Sequence, residues 1–323
     1  MVTTVNDGRV WFGDGFWGHI PDRTRPGREV RLNTAFSWNG RAGLVPAVYL
    51  CGRGVVADVC YAVPAAEVDA FLTRAQALPP EEQERMAWEN PLRGDFCGEL
   101  TVNGRTQRAR HGCAVGYLPH VPQGERNEPA ALRLLERYGL DRLQAWYIRR
   151  FSIPWQVGRR PKRLRSVTLT LTPEMRDIPG PRFTAELGKQ VACSDPEGCP
   201  VTLTVEETGF ETLPESGFPK DGREYPRTCA VLTCSLTPPQ PEDSVFVRDT
   251  GRGDRPRGRS GSGVIGGADG PVAVLVSHPG GESEQFRVCS ALYFDPAPAV
   301  EWELVFRRRP HGPVTVALPA EKL

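Results

Sequence analysis

The chain has 323 residues, and its 40 basic and 39 acidic side chains leave a net charge of +1. That balance gives no global electrostatic reason to expect a nucleic-acid or membrane-surface partner. A hydrophobic fraction of 39% with 34 glycines and 31 prolines describes a globular, turn-rich protein of many short strands.

The amino-terminal half mixes strands and helices. Trp11, Phe12, Phe16 and Trp17 alternate with Gly13, Asp14, Gly15 and Gly18. Aromatic rings in such a loop can form a stacking platform for a sugar or base, or can staple the amino terminus to the core. Trp11, Phe16 and Trp17 are therefore candidate ligand-binding residues. Residues 29–38 read as a strand, and 44–51 with 55–63 as a hairpin across Gly52-Arg53-Gly54. A helix starts at Pro64, with Val68, Phe71, Leu72 and Ala75 on one face, and ends at Pro79-Pro80. A short helix follows over 81–88 and stops before Pro91. Strands are predicted at 97–102 and 108–118. The next helix begins after Glu128-Pro129, buries Ala131, Leu134, Leu135 and Tyr138, and is capped by Gly139. A long strand at 143–153 closes this half.

A composition break follows. Arg159, Arg160, Lys162, Arg163 and Arg165 place five cations within residues 158–165, beside Pro161. A chain about twice the typical domain length should divide here. The predicted domains are residues 1–157, an α+β domain, and residues 166–323, with 158–165 as a basic linker. This basic patch could neutralise phosphates, but a solvated linker is the simpler expectation.

Beyond the linker, apolar and polar residues alternate at 167–171, 201–205, 300–306 and 314–318. Phe286, Val288, Leu292 and Phe294 share one face of a further long strand. No helical period appears after residue 165. The expected fold is mainly β, with an antiparallel β-sandwich as the carboxy-terminal domain.

Gly261, Gly263 and Gly266 have the G-x-G-x-x-G spacing, but a cationic loop precedes them and a β-branched run follows. A dinucleotide site needs a strand before and a helix after. Asp269-Gly270-Pro271 instead reads as a turn into a strand at 272–276. The same segment, Val264-Ile265-Gly266-Gly267-Ala268-Asp269-Gly270-Pro271, resembles the signature of the β subunit of sodium-ion-translocating decarboxylases. In that family the aspartate lies within the membrane and takes part in ion transport. The resemblance covers eight of 323 residues, and Val272 stands where the family usually has threonine. No apolar stretch approaches the roughly 20 residues of a spanning helix, so the resemblance implies at most a shared loop shape; Asp269 is expected to shape that turn and is the segment's candidate ligand-binding residue.

Nine cysteines are an odd number, and residues 1–8 lack the basic start and apolar core of a secretion signal. Reduced thiols in a cytoplasmic protein are expected. Cys193 with Cys199 and Cys229 with Cys234 miss the C-x-x-C spacing, so neither a metal site nor a cofactor is expected. His111 and Cys113 share a strand face and are the nearest approach to a Cys/His pair. These features predict a non-catalytic binding or interaction protein that takes a protein or small-molecule ligand. The alternative is a hydrolase with its site in the cleft between domains. A membrane or nucleic-acid partner is not expected.

Overall fold

The computed structural model describes residues 8–17, 24–121, 126–156, 160–241, 243–258, 276–277, 285–296 and 299–323. The chain folds into two compact units, residues 1–174 with 309–323, and residues 175–308. The first unit contains β1 (Arg28–Trp38), β2 (Arg41–Leu50), β3 (Gly54–Val63), α1 (Ala65–Gln76), α2 (Pro80–Arg85), β4 (Phe96–Val102), β5 (Arg105–Arg108), β6 (His111–Tyr117), α3 (Pro129–Tyr138), β7 (Ala145–Pro154) and β8 (Val167–Pro173). The second holds β9 (Arg176–Thr184), β10 (Gln190–Ser194), β11 (Pro200–Thr212), β12 (Thr228–Thr237), β13 (Val245–Asp249), β14 (Val276–Ser277), β15 (Gln285–Cys289) and β16 (Glu301–Arg308). The last strand, β17 (Val314–Leu318), returns to the first unit. The described chain is mainly β, in antiparallel sheets.

The first unit has two sheets, ordered β1-β2-β3-β7-β6 and β17-β8-β4-β5. The five-stranded sheet is a middle layer. One of its faces joins Val45, Val59 and Phe151 to Leu169, Leu171 and Leu318 of the second sheet. The other joins Val56, Cys60 and Ile148 to Leu134 and Leu135 of α3. Burial on both faces explains why β3 reads as an almost unbroken apolar run. Helix α3 starts with Pro129 in its first turn and ends at Gly139, whose φ of 62° is left-handed.

Several boundaries differ from the sequence reading. The hairpin of β1 and β2 turns at Asn39-Gly40, and that of β4 and β5 at Asn103-Gly104, with φ of 50° and 73°, and 51° and 78°. Asn-Gly supplies the two positive torsions of a tight hairpin turn, so β2 begins before the expected residue 44. The single strand expected at 108–118 is two strands in different sheets. Ala109 N donates to Gly98 O and Arg110 N to Ser152 O, so the chain crosses from one sheet to the other at that step. Residues 167–173 and 314–318, expected in the carboxy-terminal domain, form β8, which pairs with β4, and β17, which pairs with β8. The basic segment therefore joins β7 to β8 inside the first unit.

The second unit has sheets ordered β10-β11-β12-β15-β14 and β13-β16-β9. Leu203, Leu232 and Val288 from one meet Val247, Trp302 and Leu304 from the other in one apolar cluster. The strand expected to carry Phe286 through Phe294 stops at Cys289. Register pairs Val231 with Cys289 and Thr228 with Tyr293, so an extra residue interrupts the alternation there. Asp269, Arg159 and the decarboxylase-like segment lie outside the described residues. No helix among the described residues is long and apolar enough to cross a membrane.

Leu169 is fully buried in β8, between β4 and β17. Leu169→Ala should destabilise the chain by about 2–5 kcal/mol in urea unfolding. An unchanged midpoint would show that the two sheets of the first unit do not share a packed core.

Candidate functional site

The buried polar groups of the first unit gather where α3 and the amino-terminal loop cover the middle sheet. Asp58 on β3 and Arg150 on β7 are direct register partners. Both are buried, Asp58 completely and Arg150 with 4% exposure. Arg150 Nε donates to Asp58 Oδ1 and Nη2 to Oδ2, each at 2.7 Å, a bidentate pair. Tyr138 of α3 donates its hydroxyl to Asp58 Oδ2 at 2.5 Å, and Tyr49 Oη lies 2.8 Å from Tyr138 Oη. The carboxylate is thereby bonded on both oxygens. Burial acts to lower the Arg150 pKa, but the Asp58 charge and its hydrogen bonds outweigh it, and the guanidinium is held more firmly protonated than usual.

The remaining donor nitrogen of Arg150, Nη1, reaches the amino-terminal loop. It donates to Gly15 O at 3.3 Å, and the guanidinium lies 4.6 Å from the centre of the buried Phe16 ring. Gly13, with φ of 94°, donates its N–H to Ser152 Oγ at 3.0 Å. A second loop aromatic, Phe12, sits so close to Gly54 that an added Cβ there would fall 2.3 Å from its ring. Trp17 is 53% exposed, meets Phe16 edge-on at 6.2 Å, and donates Nε1 to Glu128 Oε2 at 3.1 Å. Trp11 donates Nε1 to Thr24 O at 3.3 Å. The three aromatics singled out in the sequence thus fall in different settings: Phe16 beneath the loop, Trp17 on the surface beside α3, and Trp11 half-buried.

Arg149, one residue before Arg150, faces the opposite side of β7. It donates to Glu174 Oε1 at 3.0 Å and Tyr147 Oη at 3.2 Å, and its guanidinium lies 5.6 Å from the Phe96 ring centre and 5.4 Å from that of Phe151. A comparable device occurs in the second unit, where buried Glu303 on β16 has Arg248 and Arg182 as its register partners on either side. Arg248 Nη2 reaches Glu303 Oε2 at 2.6 Å and Arg182 Nε reaches Oε1 at 3.4 Å.

The thiols around the Asp58 site are neutral. Burial pushes Cys51 up to about 11 and also raises Cys60 and Cys113, the last despite the nearby Arg150 charge. Cys113 faces the α3 layer while His111 is exposed. Among the described residues no group of three or more His, Cys, Asp and Glu side chains could hold a metal. Cys234 enters the core of the second unit, and Cys229 lies outside that cluster. Of the basic patch, Arg160, Lys162, Arg163 and Arg165 are exposed. Their backbone is anchored, since Asn103 Nδ2 donates to Arg163 O and Arg165 N donates to Asn103 Oδ1. Arg160 Nη2 donates to Leu323 O at 2.7 Å.

Sequence reasoning did not single out Asp58 and Arg150. The available signal was one acid in the apolar run Val55 to Val63 and a cation pair in the equally apolar run Ala145 to Ile153. No protein-family model, curated protein or solved structure matches the chain.

Asp58→Ala leaves a buried guanidinium without its carboxylate and should cost about 3–5 kcal/mol. Asp58→Leu combined with Arg150→Met should cost less than the single change, because no charge is stranded. Urea unfolding decides, and an additive or larger loss in the double variant would contradict a mutually dependent pair. Alkaline pH offers a second check. Burial raises the Tyr49 and Tyr138 phenols, and pushes Tyr147 up to about 12. A raised phenol stabilises the fold fully below the ordinary value of about 10, and that stabilisation is lost as pH rises through the folded values. Urea midpoints should therefore fall above about pH 10, and Tyr138→Phe should flatten the fall.

Proposed function

We propose that this protein is a non-catalytic binding or interaction protein, and that its ligand, a protein or a small molecule, is met at the surface around Trp17. The observation that carries this reading is the exposed indole at 53% on a loop anchored from below by Arg150 and Phe16. A large ring that is already held loses little conformational freedom on contact, which is the property of a binding anchor. Leu132, exposed on α3, lies one helical turn beyond Glu128, the Trp17 partner, and extends the apolar surface. The bonded state of Asp58 and the neutral Cys113 thiol support binding over the alternative reading of a hydrolase.

The finer architecture we propose is an α+β domain followed by an antiparallel β-sandwich domain. The shared apolar cluster of the two sheets in the second unit supports the latter. A cytoplasmic setting is proposed on the nine free thiols.

The test compares what co-purifies with the intact chain, with Trp17→Ala, and with Leu187→Ala, which truncates an exposed side chain of the second unit. Trp17→Ala should release a stoichiometric ligand that Leu187→Ala retains. Retention by Trp17→Ala would place binding elsewhere. A hydrolytic turnover abolished by Cys113→Ser or His111→Ala but kept by Trp17→Ala would replace the proposal with the enzyme reading.

A further inference from the structure

The outer face of the five-stranded sheet in the second unit brings two cysteines together from strands 60 positions apart in the chain. Cys289 ends β15 opposite Val231 of β12, and Cys229 stands two residues along β12 on the same face. Such diagonal same-face neighbours have Cβ atoms about 7 Å apart or less, so the two side chains reach toward each other. The backbone between them is fixed: Ser290 N donates to Ala230 O at 2.9 Å, and Ala230 N donates to Ser290 Oγ at 2.9 Å. Cys229 is also held from the other side, its Sγ 3.7 Å from Glu211 O. An ion pair between Arg287 and Glu211 lies on the same face. Cys229 is buried, whereas Cys289 is partly open to solvent.

We propose that Cys229 and Cys289 form an oxidisable dithiol, a modification site whose co-substrate is a low-molecular-weight disulfide. The inference is independent of the binding surface in the first unit. The Cys289 thiolate, the accessible member, attacks one sulfur of the small disulfide. A protein–small-molecule mixed disulfide forms and one small thiolate leaves. Cys229 then loses its proton and attacks the Cys289 sulfur as a thiolate, and the departing second small thiolate takes up a proton. Two protein thiols and one small disulfide thus become one protein disulfide and two small thiols, with two electrons passing to the small molecule. The order follows from the environments. Burial, then the Cys289 thiol and Glu211, push Cys229 up to about 11 against the opposing pull of Arg287. Cys229 is therefore the poorer initiating nucleophile and, being buried, meets only the mixed disulfide that forms beside it, which makes it the resolving cysteine. The closed bond would tie β12 to the end of β15, where the described ladder already breaks.

The experiment uses the full chain and oxidised glutathione as the probe. After incubation, free thiols are alkylated in denaturant and the digest is analysed by mass spectrometry. The expected product is a single cross-link between the peptides of Cys229 and Cys289, lighter by two hydrogens and reversed by dithiothreitol. Cys229→Ser should arrest the reaction with glutathione attached to Cys289, and Cys289→Ser should leave Cys229 unmodified. Wild-type chain carrying adducts only on exposed Cys97 and Cys199, with Cys229 and Cys289 both alkylated, would overturn the proposal. So would a stable glutathione adduct on Cys289 that never closes, or a cross-link between other cysteines. The wild-type measurement decides even if a serine variant fails to fold.

Discussion

Asp58 and Arg150 face each other across adjacent strands in the middle layer of the first unit, where almost every neighbour is apolar. Removing two charges from water is costly, and the cost is offset only if every remaining polar site is bonded. Here that requirement recruits the surroundings. Tyr138 brings in α3, Tyr49 brings in β2, and Gly15 with Phe16 bring in the amino-terminal loop. A one-residue slip between β3 and β7 would turn one charge into the apolar layer shared with the second sheet, so the pair also fixes register.

Consecutive arginines then do different work. Arg150 enters the α3 side, while Arg149 emerges on the other side to meet Glu174 and Tyr147. The second unit repeats the logic with opposite polarity, a buried Glu303 between two arginines in register. In each case the charge sits in the strand interior, and the strand pairing itself supplies the partner. The surface Trp17 depends on this arrangement indirectly. Its neighbour Phe16 packs under the Arg150 guanidinium, so an indole at the protein surface is backed by a buried ion pair.

Local signals were readable where they were complete within a few residues. The Pro129 start, the Ala131, Leu134, Leu135 and Tyr138 face, and the Gly139 stop define α3 with no outside information. The period-two pattern of Val201, Leu203 and Val205 points the same side chains into the core that the structure buries. Asn39-Gly40 and Asn103-Gly104 are equally local turn signals, and they start β2 at Arg41 and β5 at Arg105, ahead of the expected 44 and 108. Strand β9 had no such signal. Its sequence, Arg176 to Thr184, contains Pro179 and Pro181 and lacks alternation, and its pairing with β16 depends on a partner far along the chain.

The sequence by itself determined the mainly β character, the faces of individual strands and the ends of α3, because hydrophobic period and capping chemistry act over one element at a time. Only the tertiary structure decided that β8 lies between β4 and β17, that Ala109 and Arg110 bond to different sheets, and that Asp58 meets Arg150 across 92 positions. Periodicity marks which face of a strand is buried, but many strands carry the same mark. The choice among them rests on how layers pack and on which buried charge can satisfy which.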